Sequence, residues 1–198
     1  DYSSKITRTD GNRLVQVGFA PHWGNFYFPG WLWLAGGDLV DSTNRKVTWD
    51  NEEGRRTLTW MREWVDRYGK AELDAFVSEF KGDRIYYGKT GMELNTISRY
   101  SRIKDTPQWE WGVAYPPRPA GLESTPMSWS GGHGLAIPEG APHVEEAWEF
   151  IKFYIGREGQ TLVGQAAPRM PVLASVATSP EFQKVVPYMR TFVELMPY

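Results

Sequence analysis

Apolar and polar residues alternate in LVQVGF, residues 14–19, the period of a strand with one face turned inward. This strand leads into FYFPGWLWLAGGDLVD, residues 26–41, where five aromatic rings fall within eight residues before the pair Gly36 and Gly37. Trp31, Leu32, Leu34 and Ala35 make the apolar side of a short helix ended by those glycines, which assigns Trp31 and Trp33 to the core. Residues 38–49 read as a hairpin, with Asp41, Ser42, Thr43 and Asn44 turning between Leu39-Val40 and Val47-Thr48-Trp49. Asp50 then stands as a helix cap, with Glu53 completing a capping box. Leu58, Met61, Val65 and Tyr68 follow at spacings of 3, 4 and 3, one apolar helix face, and Gly69 ends it.

A second helix is predicted from Leu73 to Phe80, and Met92 and Leu94 alternate as in a strand. WEWGVAYPP is a further strand, halted by Pro116 and Pro117. WSGGHGLAIPEGAP is another, whose Gly131, Gly132 and Gly134 suit the close approach of a backbone or a ligand. Pro142 opens a helix carrying Val144, Ala147, Trp148, Ile151 and Ile155 at helical spacing, and Gly156 stops it. A shorter helix follows from Glu158 to Val163, then an irregular run, then helix again from Glu181. Strands alternating with helices define an α/β protein, and no internal repeat is present.

Composition narrows the function. With 198 residues, 41% of them hydrophobic, the chain can bury a core as one domain or two small ones. A net charge of −2 without a Lys/Arg run excludes the footprint of a nucleic-acid binder. No apolar run of membrane-spanning length occurs, and the polar opening DYSSKITRTDGNRL is no signal peptide, so export implies a targeting segment already removed. The absence of cysteine excludes disulfides, thiolate metal sites and a catalytic thiol. Ten Trp, ten Tyr and nine Phe are unusual, and such rings serve packed cores, sugar-stacking surfaces or both.

Catalytic motifs are weak. GDRIYYGKT ends like a phosphate loop, but Gly82 and Gly88 enclose five residues where that loop has four, so Lys89 reads as a surface residue beside a strand. GGHG at 131–134 resembles the oxyanion glycines of esterases, without the G-x-S-x-G elbow they require. His22, His133 and His143 are scattered, so no metal site and no cofactor are expected. A glycosidase needs two carboxylates at a defined separation; Glu93 and Glu110 are the candidates, each weighed against an ordinary solvent-facing strand position.

Three blocks carry a resemblance: GWLWLAGGDLVDSTNRKVTWDNEEGRRTLTWMREWVDRYG, then YYGKTGMELN, then GGHGLAIPEGAPHVEEAWEFIKFYIGREGQTLVGQAAPRMPV. In this order they resemble the family 1 extracellular solute-binding proteins of ABC importers. The last block is the most specific, with its Gly-Gly, LAIP strand, Ala-Trp-Glu-Phe-Ile-Lys helix, Gln160 and Pro-Val ending. The resemblance implies a type II periplasmic-binding-protein-like fold, two-lobed with hinge crossovers and incomplete here. Residues 1–127 would be most of the second lobe, 128–131 a hinge crossover, 132–175 a returning part of the first lobe, and 176–198 a crossover and helix back toward the second. It further implies a non-enzymatic receptor that passes an oligosaccharide to an ABC permease, in the periplasm or outside the cell, with a lipid anchor as one form. A glycerophosphodiester receptor is the alternative within the class, with Arg102 or Arg169 to pair the anion, and a carbohydrate-active hydrolase the alternative outside it.

By motif position, the resemblance places solute contacts at Trp23, Asn25 and Phe26 in the loop after the first strand. It adds Asn95, Thr96, Ser98 and Tyr100, where many relatives carry Gly-x-Trp, so that this wall is more polar here and Tyr100 replaces the stacking tryptophan. Trp129, Gly131, Gly132 and His133 follow at the second crossover. Because parts of the first lobe are missing, the apolar faces of GLAIP and of the helix at 143–155 would lack cover, and self-association or segment exchange is expected.

Overall fold

The structure, a computed structural model, describes residues 2–24, 26–80, 84–104, 109–122, 127–128, 130–185 and 188–196. Contacts divide the chain into unit 1, made of Asp1–Thr96, Asp105–Glu110 and Pro116–Met127, and unit 2, made of Ile97–Lys104, Trp111–Tyr115 and Ser128–Tyr198.

Unit 1 opens with helix α1 (Tyr2–Ile6) and an antiparallel hairpin of β1 (Arg8–Asp10) and β2 (Arg13–Gln16). Thr9 lies opposite Leu14 and Asp10 opposite Arg13, with an irregularity between Arg8 and Thr9. Past β2 the chain stays extended, and Val17 bridges Thr90 in the parallel sense: Val17 N donates to Lys89 O and Gly91 N to Val17 O, each at 2.9 Å. The strand read from 14 to 19 forms only as far as Gln16 and the Val17 bridge, and its burial does not alternate: Leu14 and Val17, on opposite faces of an extended chain, are both buried, because residues 17–19 pass through the interior of the unit.

The aromatic segment folds into α2 (Phe28–Leu34), with Pro29 in the first turn, where a missing N–H breaks no bond. Trp31 is its hub. The indole N–H donates to Pro21 O at 2.7 Å, and the ring meets Phe19, Phe26 and Trp60 edge-on at 5.9, 4.9 and 4.9 Å. Trp33, expected beside it in the core, is only half-buried and donates its indole N–H to Asp38 at 3.0 Å. The expected hairpin at 38–49 shrinks to a single bridge, Val40 to Val47. Its turn is held by Asp41 Oδ1, which accepts from Arg45 N, from Thr43 N and from the Thr43 hydroxyl, and Asn44 takes the left-handed conformation at φ 55°. Those bonds, the Arg45 N–H first, hold the Asp41 carboxyl below the usual range.

Helix α3 (Glu52–Tyr68) forms where the spacing demands it, with two corrections. Its cap is Asn51, whose side chain accepts from Gly54 N at 2.8 Å, and not Asp50, which lies before the helix and pairs with the side chain of its Arg55 at 2.7 Å. Its buried face runs through Gly54, Thr57 and Trp64, while Leu58 is 43% exposed. The rings of Phe19 and Trp31 draw in Trp60 and Trp64, and this turns the face. Gly69, at φ 79°, ends α3 in the left-handed region, and α4 (Lys70–Phe80) starts one residue later. Leu73 and Phe76 of α4 close a core with Leu14, Val17, Ala20 and Trp23.

The segments around 110 and 120 attach to unit 1 as irregular chain: Trp109 Nε1 donates to Tyr86 O at 3.4 Å and Arg118 Nε to Leu34 O at 3.0 Å. Among the described residues, the strands expected at Met92–Leu94, in WEWGVAYPP and in WSGGHGLAIPEGAP do not form. A strand exists only by pairing with another, and beyond β1 and β2 the described residues give just the two isolated bridges.

Unit 2 contains a 3₁₀ turn (Ile97–Arg99) running into α5 (Tyr100–Ile103), then α6 (Val144–Ile155), α7 (Arg157–Ala166), α8 (Ala174–Ala177), α9 (Pro180–Val185) and α10 (Met189–Glu194). Its core is Val176, Phe182 and Met189, with Ile97, Met170, Leu173 and Val193 against them. Gly164 of α7 leaves the space that the Phe182 ring fills. Gln160 is buried and joins two elements: its Nε2 donates to Tyr154 O at 2.8 Å, and its Oε1 accepts from Val172 N at 2.9 Å. Gln160 and the Pro-Val pair of the resemblance are thus one structural unit. Helix α6 buries none of its residues, leaving Trp148, Phe150 and Phe153 at 47%, 57% and 47% exposure.

Candidate functional site

The sequence-predicted site residues fall in both units, and each group is described within its own unit. In unit 1 the extended chain past β2, bridged at Val17, delivers the loop that carries His22, Trp23 and Gly24, while the bridge partner Thr90 delivers Glu93 and Asn95. The two segments touch at Gly24, which has φ 80° and whose missing Cβ would lie 1.9 Å from Leu94 O. No side chain fits there, so glycine permits the contact.

Trp23 is 5% exposed. Its ring stacks on Phe76 at 5.6 Å with an interplanar angle of 5°, and the Arg84 guanidinium lies 4.5 Å from the ring centroid. Phe26, also 5% exposed, packs edge-on to Trp31. Both rings therefore serve the core of unit 1 first. Asn25 and Trp129 lie outside the described residues.

Beside Trp23 sits a charged pair that sequence reasoning missed. Arg84 Nη2 lies 3.8 Å from Glu93 Oε2, with side-chain exposures of 7% and 1%. Glu93, read as a solvent-facing strand position, is among the most buried acidic side chains described, because Arg84 and Asn95 give its carboxylate partners away from water. Asn95 Nδ2 donates to Glu93 Oε1 at 2.6 Å, and Asn95 Oδ1 accepts from Thr96 N at 3.0 Å. Thr90 adds a buried hydroxyl with no hydrogen-bond partner among the described residues. The only sequence signal for this cluster was an acid at an alternating position. Its partner, nine residues upstream across a turn, carried none.

The turn at residues 84–88 closes with Gly88 N donating to Ile85 O at 3.1 Å and Lys89 N to Arg84 O at 2.8 Å, while the Lys89 ammonium lies 5.6 Å from the Phe80 ring centre. Lys89 is half-buried there, an arrangement with no resemblance to a phosphate cradle. His22 stands edge-on to Trp23 at 5.7 Å, and its imidazole pKa is lowered, first by burial of part of the ring and then by the Arg84 charge.

In unit 2, Ser98 belongs to the 3₁₀ turn, where its carbonyl accepts from the Ser101 hydroxyl at 2.9 Å, and Tyr100 begins α5. Gly131, Gly132 and His133 are exposed, and nothing lies within 4 Å of where a Gly132 Cβ would stand. Arg102 and Arg169 are exposed as well. No cluster of three or more metal-ligating side chains occurs among the described residues.

Two solved structures are similar to this chain: CpMnBP1 with mannobiose bound, at TM-score 0.80 and 21% identity over 98% of this chain and 50% of that one; and CpMnBP1 with mannotriose bound, at 0.78 and 21% over 98% and 51%. The chain thus spans about half the length of these neighbours and has the periplasmic-binding-protein-like fold. The sequence profile of the bacterial extracellular solute-binding proteins matches residues 2–188, and the chain belongs to that family. Among curated proteins, none matches the sequence.

Proposed function

We propose that this chain is part of a carbohydrate receptor of an ABC importer, one that grips an oligosaccharide, hands it to the permease and leaves it chemically unchanged. The observation that carries this reading is the family match over residues 2–188. The mannobiose and mannotriose held by the two similar structures favour a short oligosaccharide as solute. The receptor works on the extracellular face of the membrane, with a lipid anchor as its attachment in one form.

A sugar presents flat C–H faces and a rim of hydroxyls, so rings cover the faces while amides and backbone groups pair the rim. Two lobes close around it by hinge bending, and the solute stabilises the closed state because it makes more contacts there. Residues 1–127 supply most of one lobe, 128–131 the hinge, 132–175 part of the other lobe, and 176–198 the return. Solute contacts are assigned to Trp23, Asn25, Phe26, Asn95, Thr96, Ser98, Tyr100, Trp129, Gly131, Gly132 and His133. Asn95 is the best equipped of them: it is half-buried and already oriented by neighbours on both sides of its carboxamide. Trp23 offers only the small accessible part of its ring.

Calorimetric titration of the complete receptor with mannobiose, mannotriose and a glycerophosphodiester tests the reading, alongside incubation with labelled oligosaccharide and product analysis. Saturable binding of a sugar without product is the expected result. Turnover of the sugar, or binding of the phosphodiester alone, overturns it.

A further inference from the structure

We infer that Glu93, held beside Arg84, is a positioning residue that locks the hydrogen-bonding sense of Asn95 and thereby makes Asn95 a reader of solute hydroxyls. The inference rests on the receptor reading above and concerns two residues, Arg84 and Glu93, that lie outside the assigned solute contacts.

A carboxamide has two N–H donors on nitrogen and two lone pairs on oxygen, and it can turn over to exchange them. At Asn95 it cannot. Nδ2 faces the Glu93 carboxylate, which accepts only, at 2.6 Å, and Oδ1 faces the Thr96 N–H, which donates only, at 3.0 Å. Turning the group over would set oxygen against oxygen and N–H against N–H. Glu93 can impose this because it is fixed itself: its side chain is 1% exposed and Arg84 stands 3.8 Å away. Arg84 is fixed in turn over the Trp23 ring, which Phe76 backs.

Asn95 is then left with one N–H and one lone pair, and it makes no other hydrogen bond among the described residues. A hydroxyl is both donor and acceptor, so one hydroxyl, or two on neighbouring carbons, satisfies this pair of groups. An ether oxygen or a deoxy position satisfies half of it or none. Glu93 touches no solute in this scheme and acts through Asn95.

The test uses the complete receptor of which this chain is part and its Glu93→Gln, Asn95→Ala and doubly substituted forms, titrated calorimetrically with mannobiose. Glu93→Gln is expected to weaken binding about tenfold, the worth of one well-oriented hydrogen bond, and Asn95→Ala by a similar factor. The double variant is expected to bind no more weakly than Asn95→Ala alone, because Glu93 has nothing left to position. In ¹⁵N-edited spectra, one Asn95 side-chain proton should be protected from exchange in the wild type and lose that protection in Glu93→Gln. Losses that multiply in the double variant, unchanged binding by Glu93→Gln, or an unprotected Asn95 amide in the wild type each overturn the inference. If Glu93→Gln fails to fold, the same comparison is made with Glu93→Asp, which keeps the charge beside Arg84 and is too short for the Asn95 contact. A complete wild-type receptor that binds no sugar is a different failure: it removes the receptor reading and this inference with it, whereas sugar binding with indifferent Glu93 variants removes the inference alone.

Discussion

Helices α3 and α6 have equally plain amphipathic spacing in sequence, yet they end in opposite situations. Helix α3 buries Gly54, Thr57 and Trp64, has a side-chain cap from Asn51 and stops at a left-handed Gly69. Helix α6 buries nothing, begins at His143 without a side-chain cap bond, and holds Trp148 and Phe153 at 47% exposure. Periodicity reports which residues could share a face. Burial requires a second surface of the right shape, and the Phe19 and Trp31 rings supply one to Trp60 and Trp64 of α3. Among the described residues, α6 leans on α7 and finds nothing comparable for its rings.

This contrast can be broken by substitution. Phe76→Ala, in the core that α3 and α4 share, should lower stability by about 3–5 kcal/mol in chemical denaturation, since it leaves a cavity beneath Trp23. A loss below about 1 kcal/mol would mean that the core is loosely packed. Gly54→Ala ordinarily favours a helix, but here the added Cβ would lie 1.7 Å from Trp49 O. It should destabilise by about 1–3 kcal/mol, and stabilisation would refute that close approach. Asn51→Ala should cost about 1 kcal/mol and Asp50→Ala much less, which separates the observed cap from the one suggested by sequence.

Smaller effects sharpen the contrast. Burial and Arg84 both disfavour the His22 imidazolium, so the folded state binds its proton more weakly than the unfolded state does. The stability this contributes is fully present above the ordinary value of 6.5 and is lost as pH falls through the lower folded-state value. An NMR titration of His22 with a midpoint at or above 6.5 would contradict the arrangement. Finally, Trp148→Ala should change unfolding stability by no more than about 0.5 kcal/mol. The same exposed rings should make the mass measured by light scattering rise with concentration, and a mass that stays constant would count against self-association of this chain.

Much of the chain was legible from local pattern. The helix at 52–68, its Gly69 stop, the Gly156 break between α6 and α7 and the turn at Asp41 all follow from residues within a few positions of one another. Family membership was legible for a related reason: motifs such as Gln160 and the Pro-Val pair sit close in sequence because one bonds the other. The strands were less legible, since alternation in WEWGVAYPP or GLAIP states only a readiness to pair, and pairing needs a neighbour that the described residues do not supply.

Within the candidate site, the sequence by itself determined that a strand would hand over an aromatic loop and that a polar segment would follow Met92. Tertiary structure alone decided that Trp23 would be spent mostly on Phe76 and Arg84, and that Glu93 would be buried and oriented toward Asn95. The physical reason is one of range. Backbone preferences act between neighbours along the chain, whereas desolvating a charge or filling a ring face depends on groups that only folding brings within a few ångströms.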